Sequence, residues 1–307
     1  DYVLGQGLIS LFADNHALLE GFPGLAKTLL VNSLSCVLGL KFNRIQCTPD
    51  LMPSDITGTY IIDEQEGSKS FRFVHGPVFT NMLLADEINR ATPKTQSALL
   101  EAMQERQVTS GGKTYPLEKP FMVLATQNPI EMEGTYPLPE AQVDRFLLKI
   151  LVDYPTPEEE EEIVEMYAKA EPPSSCLTPL WSGGGEVDSR TSLIAMKNLM
   201  AIQKLTRLMP ISQDIRKHAL NIVFNTRPKS GGSAAEHLDY GASPRASIGL
   251  VLAAKANALI SGRNYVSKKD VEEMAYPVLR HRLILSFESE RKGLTTDDVI
   301  QEILGEV

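Results

Sequence analysis

The feature that most constrains this chain is a glycine-bearing loop between an apolar run and a helical pattern. Ala17-Leu18-Leu19 leads into Gly21-Phe22-Pro23-Gly24-Leu25-Ala26-Lys27-Thr28, and apolar residues then recur at positions 30, 34, 37 and 38. A strand, such a loop and a helix that starts with Lys-Thr are the context of a phosphate-binding loop. Backbone N–H groups and the positive end of the helix dipole then point at an anion. The sequence therefore predicts that residues 21–28 bind phosphate groups.

Two side chains of this loop have predicted roles, and one position departs from the motif. Lys27 would place its charge beside the β- and γ-phosphates of a nucleotide, and Thr28 would offer its hydroxyl to Mg²⁺. The motif has Gly directly before the Lys, whereas this chain has Ala26. Because only Gly visits left-handed conformations at little cost, Ala26 must have a negative φ or carry strain. Taken alone, the segment could also be an ordinary strand-to-helix turn.

Five short apolar runs in the first half of the chain predict the fold class. The runs are Ala17–Leu19, Phe42–Cys47, Met82–Ala85, Phe121–Ala125 and Phe146–Val152. Runs that are mainly apolar and separated by helical patterns are typical of a parallel sheet buried on both faces. We therefore predict an α/β domain with a five-stranded parallel sheet over residues 1–154. A length of 307 residues leaves room for a second domain.

Beyond Tyr154 the strand-like runs stop and helical patterns take over. Thr156, Pro157 and the acidic run Glu158–Glu162 are typical of a helix start, although an acidic interaction patch is an alternative. Ser267 and Asp270 have the spacing of a capping box. We predict an all-helical second domain over residues 155–307, interrupted by a Pro/Ser/Gly-rich insertion at about 171–192. Its predicted helices are Leu193–Leu205, Gln213–Asn225, Pro244–Ser261, Lys268–Leu283 and Asp297–Leu304.

Polar residues at the ends of two predicted strands suggest hydrolysis chemistry. Asp86 and Glu87 directly follow the apolar run Met82–Ala85, and Asn128 follows the run Phe121–Ala125. Beside a phosphate loop, Asp86 would hold Mg²⁺ and Glu87 would polarise the attacking water. Asn128 could hydrogen-bond that water and a γ-phosphate oxygen. The alternative is a polar strand end that simply reaches solvent.

Two arginines complete the set of candidates. Arg145 precedes the last predicted strand, far along the chain from the phosphate loop, and suits a finger that reaches a neighbour's site. Arg245 lies in the first turn of a helix that Ser243 caps and Pro244 opens. The helix dipole opposes a cation there by about 0.3–1 kcal/mol, which a bound anion would offset. A solvated surface arginine is the alternative for Arg245.

These elements, in this order and followed by a helical domain, resemble the AAA+ ATPases and, within them, the MoxR family. The resemblance covers nearly the whole chain. It is carried by Gly21–Thr28, Asp86–Thr92, Lys94–Met103, Ala125–Pro129, Pro137–Phe146, Gly241–Ala246 and Val278–Arg282.

The resemblance implies a Mg²⁺-dependent ATP hydrolase, which forms ADP and phosphate, in a ring that is typically a hexamer. It implies that Lys27 and Glu87 are catalytic, that Asn128 is sensor 1, that Arg145 is an arginine finger acting in trans and that Arg245 is sensor 2. Thr28 and Asp86 would hold the metal. The nucleotide would contact Gly21, Pro23, Gly24, Leu25, Ala26, Lys27, Thr28 and Leu29, with Val3, Leu4 and Gly5 near adenine.

The resemblance also implies partners and two insertions. Residues 53–77 and about 107–120 are each predicted to form a hairpin, and both hairpins would face the pore of the ring. Surface hairpins without that role are the alternative. The implied function is chaperone-like remodelling or maturation of a client protein. A von Willebrand A domain protein would act as partner in trans, since its Asp-x-Ser-x-Ser signature is absent from this sequence.

Charge and composition decide between the remaining alternatives. The net charge of −9 opposes non-specific binding to nucleic-acid backbones, so a nucleic-acid motor is the less favoured hypothesis. A nucleotide-gated scaffold with little turnover is a third hypothesis, and the presence of all catalytic positions argues against it. Three cysteines without paired spacing disfavour a disulfide framework or a zinc site. With no long apolar run or leader, neither a membrane span nor an export signal is expected. The cysteine pattern fits a reducing cytoplasm, so a cytoplasmic protein is predicted.

Overall fold

The computed structural model describes residues 2–65, 68–129, 134–168, 189–229 and 232–306. The predicted insertion at 171–192 lies outside these residues, except for its last four, which belong to a helix. Among the described residues no helix is both long and apolar enough to cross a bilayer. The cytoplasmic location stays a prediction.

The elements are as follows, in chain order. The first half contains α1 (Tyr2–Phe12), β1 (Ala17–Gly21), α2 (Lys27–Leu38), β2 (Phe42–Gln46), α3 (Pro53–Thr57), β3 (Gly58–Gln65), β4 (Ser68–His75), β5 (Met82–Asp86), a 3-10 turn (Ile88–Arg90), α4 (Pro93–Glu105), β6 (Gln107–Ser110), β7 (Lys113–Pro116), β8 (Met122–Gln127), α5 (Glu140–Val143) and β9 (Leu148–Val152). The second half contains α6 (Pro157–Ala168), α7 (Ser189–Leu208), α8 (Gln213–Asn225), a 3-10 turn (Ser233–His237), β10 (Leu238–Tyr240), α9 (Pro244–Ile260), α10 (Lys268–Leu279), β11 (Ile284–Leu285), α11 (Phe287–Arg291) and α12 (Thr296–Glu306).

The five predicted strands form one sheet, which confirms the predicted α/β class. The strand order is β2-β5-β8-β1-β9, and β5 runs parallel to both β2 and β8. Met82, Leu83, Leu84 and Ala85 of β5 are all fully buried. Since successive side chains of a strand point to opposite faces, four consecutive buried residues mean that both faces of the sheet are covered.

Both predicted hairpins are present. β3 pairs with β4 and β6 pairs with β7, each antiparallel. The strands of the first hairpin run further towards the turn than the sequence indicated, to Gln65 and Ser68. The hairpins pack on each other, because Phe73 stacks on Tyr115 with ring centroids 4.3 Å apart and the hydroxyls of Tyr60 and Tyr115 are 2.7 Å apart.

Most helices of the second half match the predicted segments closely, although α7 begins four residues earlier than predicted and α11 (Phe287–Arg291) was not predicted. α10 ends at Leu279 instead of Leu283, because the chain turns there to lead into β11. β10 and β11 form a short antiparallel pair within an otherwise helical region. Strands of two or three residues are too short to show a periodic pattern, which explains why the sequence did not predict them.

The chain divides into two compact units. The sheet unit comprises Leu19–Pro137 and Leu151–Met200, and the helical unit comprises Asp1–Leu18, Leu138–Ile150 and Ala201–Val307. The predicted boundary near residue 154 stays a prediction. Within the helical unit, Gln203 Nε2 donates a hydrogen bond to the Leu11 carbonyl (2.8 Å), which joins α7 to α1.

The predicted capping box at α10 is present and carries a buried charge. Ser267 Oγ accepts from Asp270 N, while Ser267 N and Oγ donate to Asp270 Oδ2 at 2.8 and 2.6 Å. The Arg263 guanidinium also binds this carboxylate. Burial raises the pKa of Asp270, but the hydrogen bonds from Arg263 and Ser267 outweigh it, and the pKa is lowered.

We predict that Asp270→Asn lowers the free energy of unfolding by about 1–3 kcal/mol at pH 7, because the charge-assisted bonds to Arg263 and Ser267 are weakened. The pKa of Asp270 is lower in the folded protein, so its stabilisation is complete above the unfolded-state pKa of about 3.9 and disappears as the pH falls through the folded-state value. Urea denaturation at pH 7 and at pH 3 measures both effects. The exposed Asp239→Asn is the control, and an equal loss from both variants would contradict the prediction.

Candidate active site

The loop between β1 and α2 has the backbone shape of an anion-binding loop. Gly24 and Ala26 have φ values of +85° and +52°, whereas the φ of Leu25 between them is not positive. Alternation of this kind turns successive N–H groups towards a common concavity. Among the described residues no side chain caps the start of α2, where Ala26 is the N-cap. The first N–H groups of the helix therefore remain for an anion.

Ala26 carries the strain that the sequence left as one of two possibilities. A left-handed conformation costs an L-residue about 1–2 kcal/mol. Such strain persists only where the surrounding structure determines it, and it is common at binding sites. The loop thus has the glycine-like backbone although the residue before Lys27 is not glycine.

Lys27 closes the loop from within. Its Nζ donates to the carbonyls of Gly21 (2.6 Å) and Phe22 (3.1 Å). Burial lowers the pKa of Lys27, while the charges of Asp86 and Glu87 oppose that effect. Gly21 itself is required by packing, since a Cβ there would lie 2.4 Å from the Val152 carbonyl oxygen.

Asp86 ends β5 and is bound from the strands on both sides. Its Oδ1 accepts from Thr126 Oγ1 (2.6 Å), and its Oδ2 accepts from Arg44 Nη2 (2.6 Å) and Nε (3.2 Å). Neither Thr126 nor Arg44 was predicted to belong to the site. The available signal for Arg44 was a charged residue inside the predicted strand Phe42–Cys47, which also contains Asn43 and Gln46.

Glu87 is held in a strained conformation next to Asp86. Its φ is +55°, and its N–H donates to Thr126 Oγ1 at 2.8 Å. Its Oε2 accepts from Gln46 Nε2 (2.8 Å) and Arg90 Nη1 (3.1 Å). The Thr126 hydroxyl therefore contacts both acidic residues, and β2 supplies one polar partner to each carboxylate.

These side chains line one cavity of about 320 Å³, which we call the nucleotide cavity. Its lining residues are Pro23, Gly24, Leu25, Ala26, Lys27, Thr28, Arg44, Asp86, Glu87, Thr126 and Asn128. Most residues predicted for phosphate and metal binding thus come together. Gly21 contributes its carbonyl to Lys27, and Leu29 lies in α2 outside the lining.

The oxygen ligands in the nucleotide cavity fit Mg²⁺ bound together with phosphate. Within the described ranges no cluster of three His, Cys, Asp or Glu side chains could hold an ion by itself. Thr28, Asp86 and Glu87 offer a hydroxyl and two carboxylates. Mg²⁺ typically uses one or two carboxylates, several waters and the oxygens of its substrate's phosphates, so this sparse set is suitable.

The remaining predicted residues lie in the helical unit. Arg145 follows α5 and is partly exposed. Arg245 opens α9 next to its cap Ser243, and its Nη1 lies 3.6 Å from Asp144 Oδ2. Arg245 is therefore ion-paired and is not simply a solvated arginine.

Val3, Leu4 and Gly5 lie in α1, and the structure does not bring them to Arg245. Gly5 and Gln6 line a second cavity, of about 580 Å³, together with Asn257 and Ile260 near the end of α9. At 1.5 Å per residue, Asn257 and Arg245 are about 18 Å apart along α9. The predicted adenine and sensor 2 contacts thus remain separate predictions.

Comparison with known proteins gives matches along the chain. Residues 16–148 match the family model described as "ATPase family associated with various cellular activities (AAA)", and residues 233–303 match the AAA lid domain model. The protein named "Chaperone MoxR1" from Mycobacterium tuberculosis is 44% identical, over 99% of this chain and 77% of its own length. "Protein MoxR" from Paracoccus denitrificans is 31% identical, over 95% of this chain and 88% of its own length. A crystal structure of a protein from Cytophaga hutchinsonii has 44% sequence identity and a TM-score of 0.87, over 100% of this chain and 89% of its own.

We predict that Ala26→Gly raises the free energy of unfolding by about 0.5–1 kcal/mol. Relief of the left-handed strain outweighs the larger unfolded-state entropy of glycine. The matched control is Ala201→Gly, at an exposed position inside α7, which should lose about 1 kcal/mol. Chemical denaturation of both variants gives the two signs, and destabilisation by Ala26→Gly as large as that of the control would show that the loop is not strained.

Proposed function

Since this chain belongs to the MoxR family of AAA+ ATPases, we propose that it hydrolyses ATP to ADP and phosphate in the nucleotide cavity. The observation that carries the proposal is the shared lining, in which Lys27, Asp86 and Glu87 face one cavity beside the uncapped start of α2. A cation, two acidic groups and a set of backbone donors at one place are what phosphoryl transfer needs.

Phosphate binding falls to the loop of residues 21–28. The N–H groups turned inward by Gly24 and Ala26 would donate to phosphate oxygens, and the ammonium of Lys27 adds a positive charge. Lys27 now donates to two loop carbonyls, so it reaches a phosphate by exchanging those weaker neutral acceptors for a charged one. Mg²⁺ held by Thr28 and Asp86 would polarise the phosphate oxygens when bound.

Glu87 and Asn128 orient the attacking water. The hydrogen bonds from Gln46 and Arg90 go to Glu87 Oε2, so we assign Oε1 to the water and its proton. The backbone contact to Thr126 and the positive φ hold Glu87 in place for that role. Asn128, buried at the end of β8, contributes an amide to the same water or to the γ-phosphate.

Arg145 is proposed to act in the site of a neighbouring subunit of a ring, typically a hexamer, and Arg245 to act as sensor 2. An arginine finger is worth about 10³–10⁵ in rate, or roughly 4–7 kcal/mol. Turnover should therefore require assembly. Membership of the AAA+ family supports an oligomer.

We propose that the work done with ATP is chaperone-like remodelling of a client protein, with a von Willebrand A domain protein as partner in trans. The name of the relative "Chaperone MoxR1" supports the chaperone class. The paired hairpins favour a protein client over nucleic acid. Ile62 and Phe71, which are cross-strand neighbours, are 62% and 77% exposed, whereas Tyr115 is occupied by its stacking on Phe73 and is not available to stack on bases.

We predict that Glu87→Gln retains bound ATP and loses at least about 100-fold in turnover, because the water loses its acceptor. Phosphate release measures turnover, and binding of a fluorescent ATP analogue measures nucleotide affinity. Glu161→Gln, exposed in α6, is the matched control. Unimpaired turnover in Glu87→Gln would remove the role assigned to Glu87.

For Arg145→Ala we predict a fall in turnover of about 10³-fold with nucleotide affinity within about twofold of the parent, because the finger stabilises only the transition state of a neighbour's site. Arg291→Ala, exposed at the end of α11, is the control. Turnover per subunit of the unmodified chain should also rise with protein concentration. Tight nucleotide binding with negligible turnover at every concentration would instead favour the scaffold hypothesis.

A further inference from the structure

Asp144, the residue before Arg145, is the most heavily bonded carboxylate described in the helical unit apart from Asp270. Its Oδ1 accepts from Arg282 Nε at 2.6 Å. Its Oδ2 accepts from Ser243 Oγ at 3.0 Å and lies 3.6 Å from Arg245 Nη1. One side chain therefore connects the segment that carries Arg145 with the motif that carries Arg245.

Arg282 fixes the backbone on both sides of Arg145. Its Nη2 donates to the carbonyls of Asp144 (3.3 Å) and Phe146 (2.6 Å), and its Nη1 donates to the Leu147 carbonyl (3.0 Å). Nη1 also contacts the carbonyl of Val278 in α10. A planar guanidinium with five donors is the only side chain that can make so many bonds in a fixed fork.

The burial of Arg282 shows that the arrangement is specific. Its side chain is only 3% exposed. A buried charge costs several kcal/mol unless every donor is matched, and removal of one partner leaves the other uncompensated. The adjacent His281 adds a bond from Nε2 to the Phe146 carbonyl at 3.0 Å, and burial keeps the pKa of His281 well below its usual value, so the ring is neutral.

The contacts that the two arginines make with Asp144 differ in strength. Arg282 makes a short bond from a buried position, whereas Arg245 is half exposed and its contact is longer. Arg245 can therefore leave Asp144 for a bound anion at little cost, while Arg282 keeps the carboxylate and the backbone in place. The pair Asp144–Arg282 is thus the permanent element of the cluster.

We propose that Asp144 and Arg282 are positioning residues for Arg145. They hold the backbone around Arg145 so that its guanidinium is presented to a neighbouring subunit. This inference rests on the proposed function, in which Arg145 acts in trans.

The test mixes variants of the whole chain. In each mixture, one kind of subunit has a misplaced Arg145, and the other lacks the Glu87 carboxylate that accepts the proton of the attacking water. Asp144→Asn and Arg282→Lys are each assayed alone and with an excess of Glu87→Gln, which cannot turn over but supplies an intact Arg145. Alone, each should lose about 10- to 100-fold in turnover, since misplacement of about 1 Å costs that much. In the mixture each should regain at least about fivefold, because its own catalytic site receives a correctly placed finger.

Two further variants make the result decisive. Arg145→Ala should show the larger loss of about 10³-fold, and it should likewise recover in the mixture. Asp270→Asn removes a comparable buried ion pair elsewhere in the helical unit, and it should lower stability without lowering turnover below about half. Arg282→Lys keeps the buried positive charge, so it gives an answer even if Asp144→Asn does not fold.

Provided that Arg145→Ala recovers in the mixture, two outcomes would overturn the positioning role while leaving the proposed function intact. In the first, Asp144→Asn and Arg282→Lys both keep unimpaired turnover. In the second, both lose turnover and neither recovers in the mixture. If Arg145→Ala is not impaired, or if it is impaired and does not recover, action in trans is refuted. The inference would then be refuted as well.

Discussion

The order β5-β8-β1 within one sheet is the constraint on which the nucleotide cavity depends. Because parallel strands end at one edge, the loop after β1, the acidic pair at the end of β5 and Asn128 after β8 become neighbours although they are far apart in the chain. The register of β2 against β5 places Gln46 directly opposite Asp86. A shift of one residue would send these side chains to the other face of the sheet.

Charge balance within the nucleotide cavity is the second requirement. Asp86 and Glu87 are adjacent carboxylates, and each has a cationic partner, Arg44 for the first and Arg90 for the second. Lys27 contributes a third positive charge. Burial lowers the pKa of Lys27, whereas the negative charges of Asp86 and Glu87 oppose that effect. Pairing of this kind lets two acids lie together without a metal ion between them. A bound cation would compete with Arg44 for Asp86, so the site is arranged for exchange of charged partners.

The helical unit relies on a different device. Arg282 is buried and satisfied by one carboxylate and several carbonyls, which makes the loop around Arg145 costly to deform. The hairpin residues Ile62 and Phe71 are the opposite case, since both side chains are largely exposed. Rigid support for the loop that carries Arg145 and an exposed apolar edge both agree with the proposed subunit of an assembly.

The sequence by itself determined the five strands of the main sheet, the loop of residues 21–28 and most helix limits, because these depend on local periodicity, capping and glycine placement. α8 matches its predicted range, and Ser267 with Asp270 caps α10 as predicted. The same local signals identified Lys27, Thr28, Asp86, Glu87 and Asn128, since each follows a strand or opens a helix. Membership of the MoxR family was also evident from these motifs.

Only the tertiary structure decided which residues share a partner. Arg44 and Thr126 enter the nucleotide cavity through strand order and register, which no single stretch of sequence encodes. The convergence on Asp144 joins this residue to Ser243, Arg245 and Arg282, which lie 99 to 138 positions further along the chain. It arises because a buried guanidinium requires several acceptors from different segments. The sign of φ at Ala26 was likewise open until the fold was known, because strain at one residue is imposed by the packing around it.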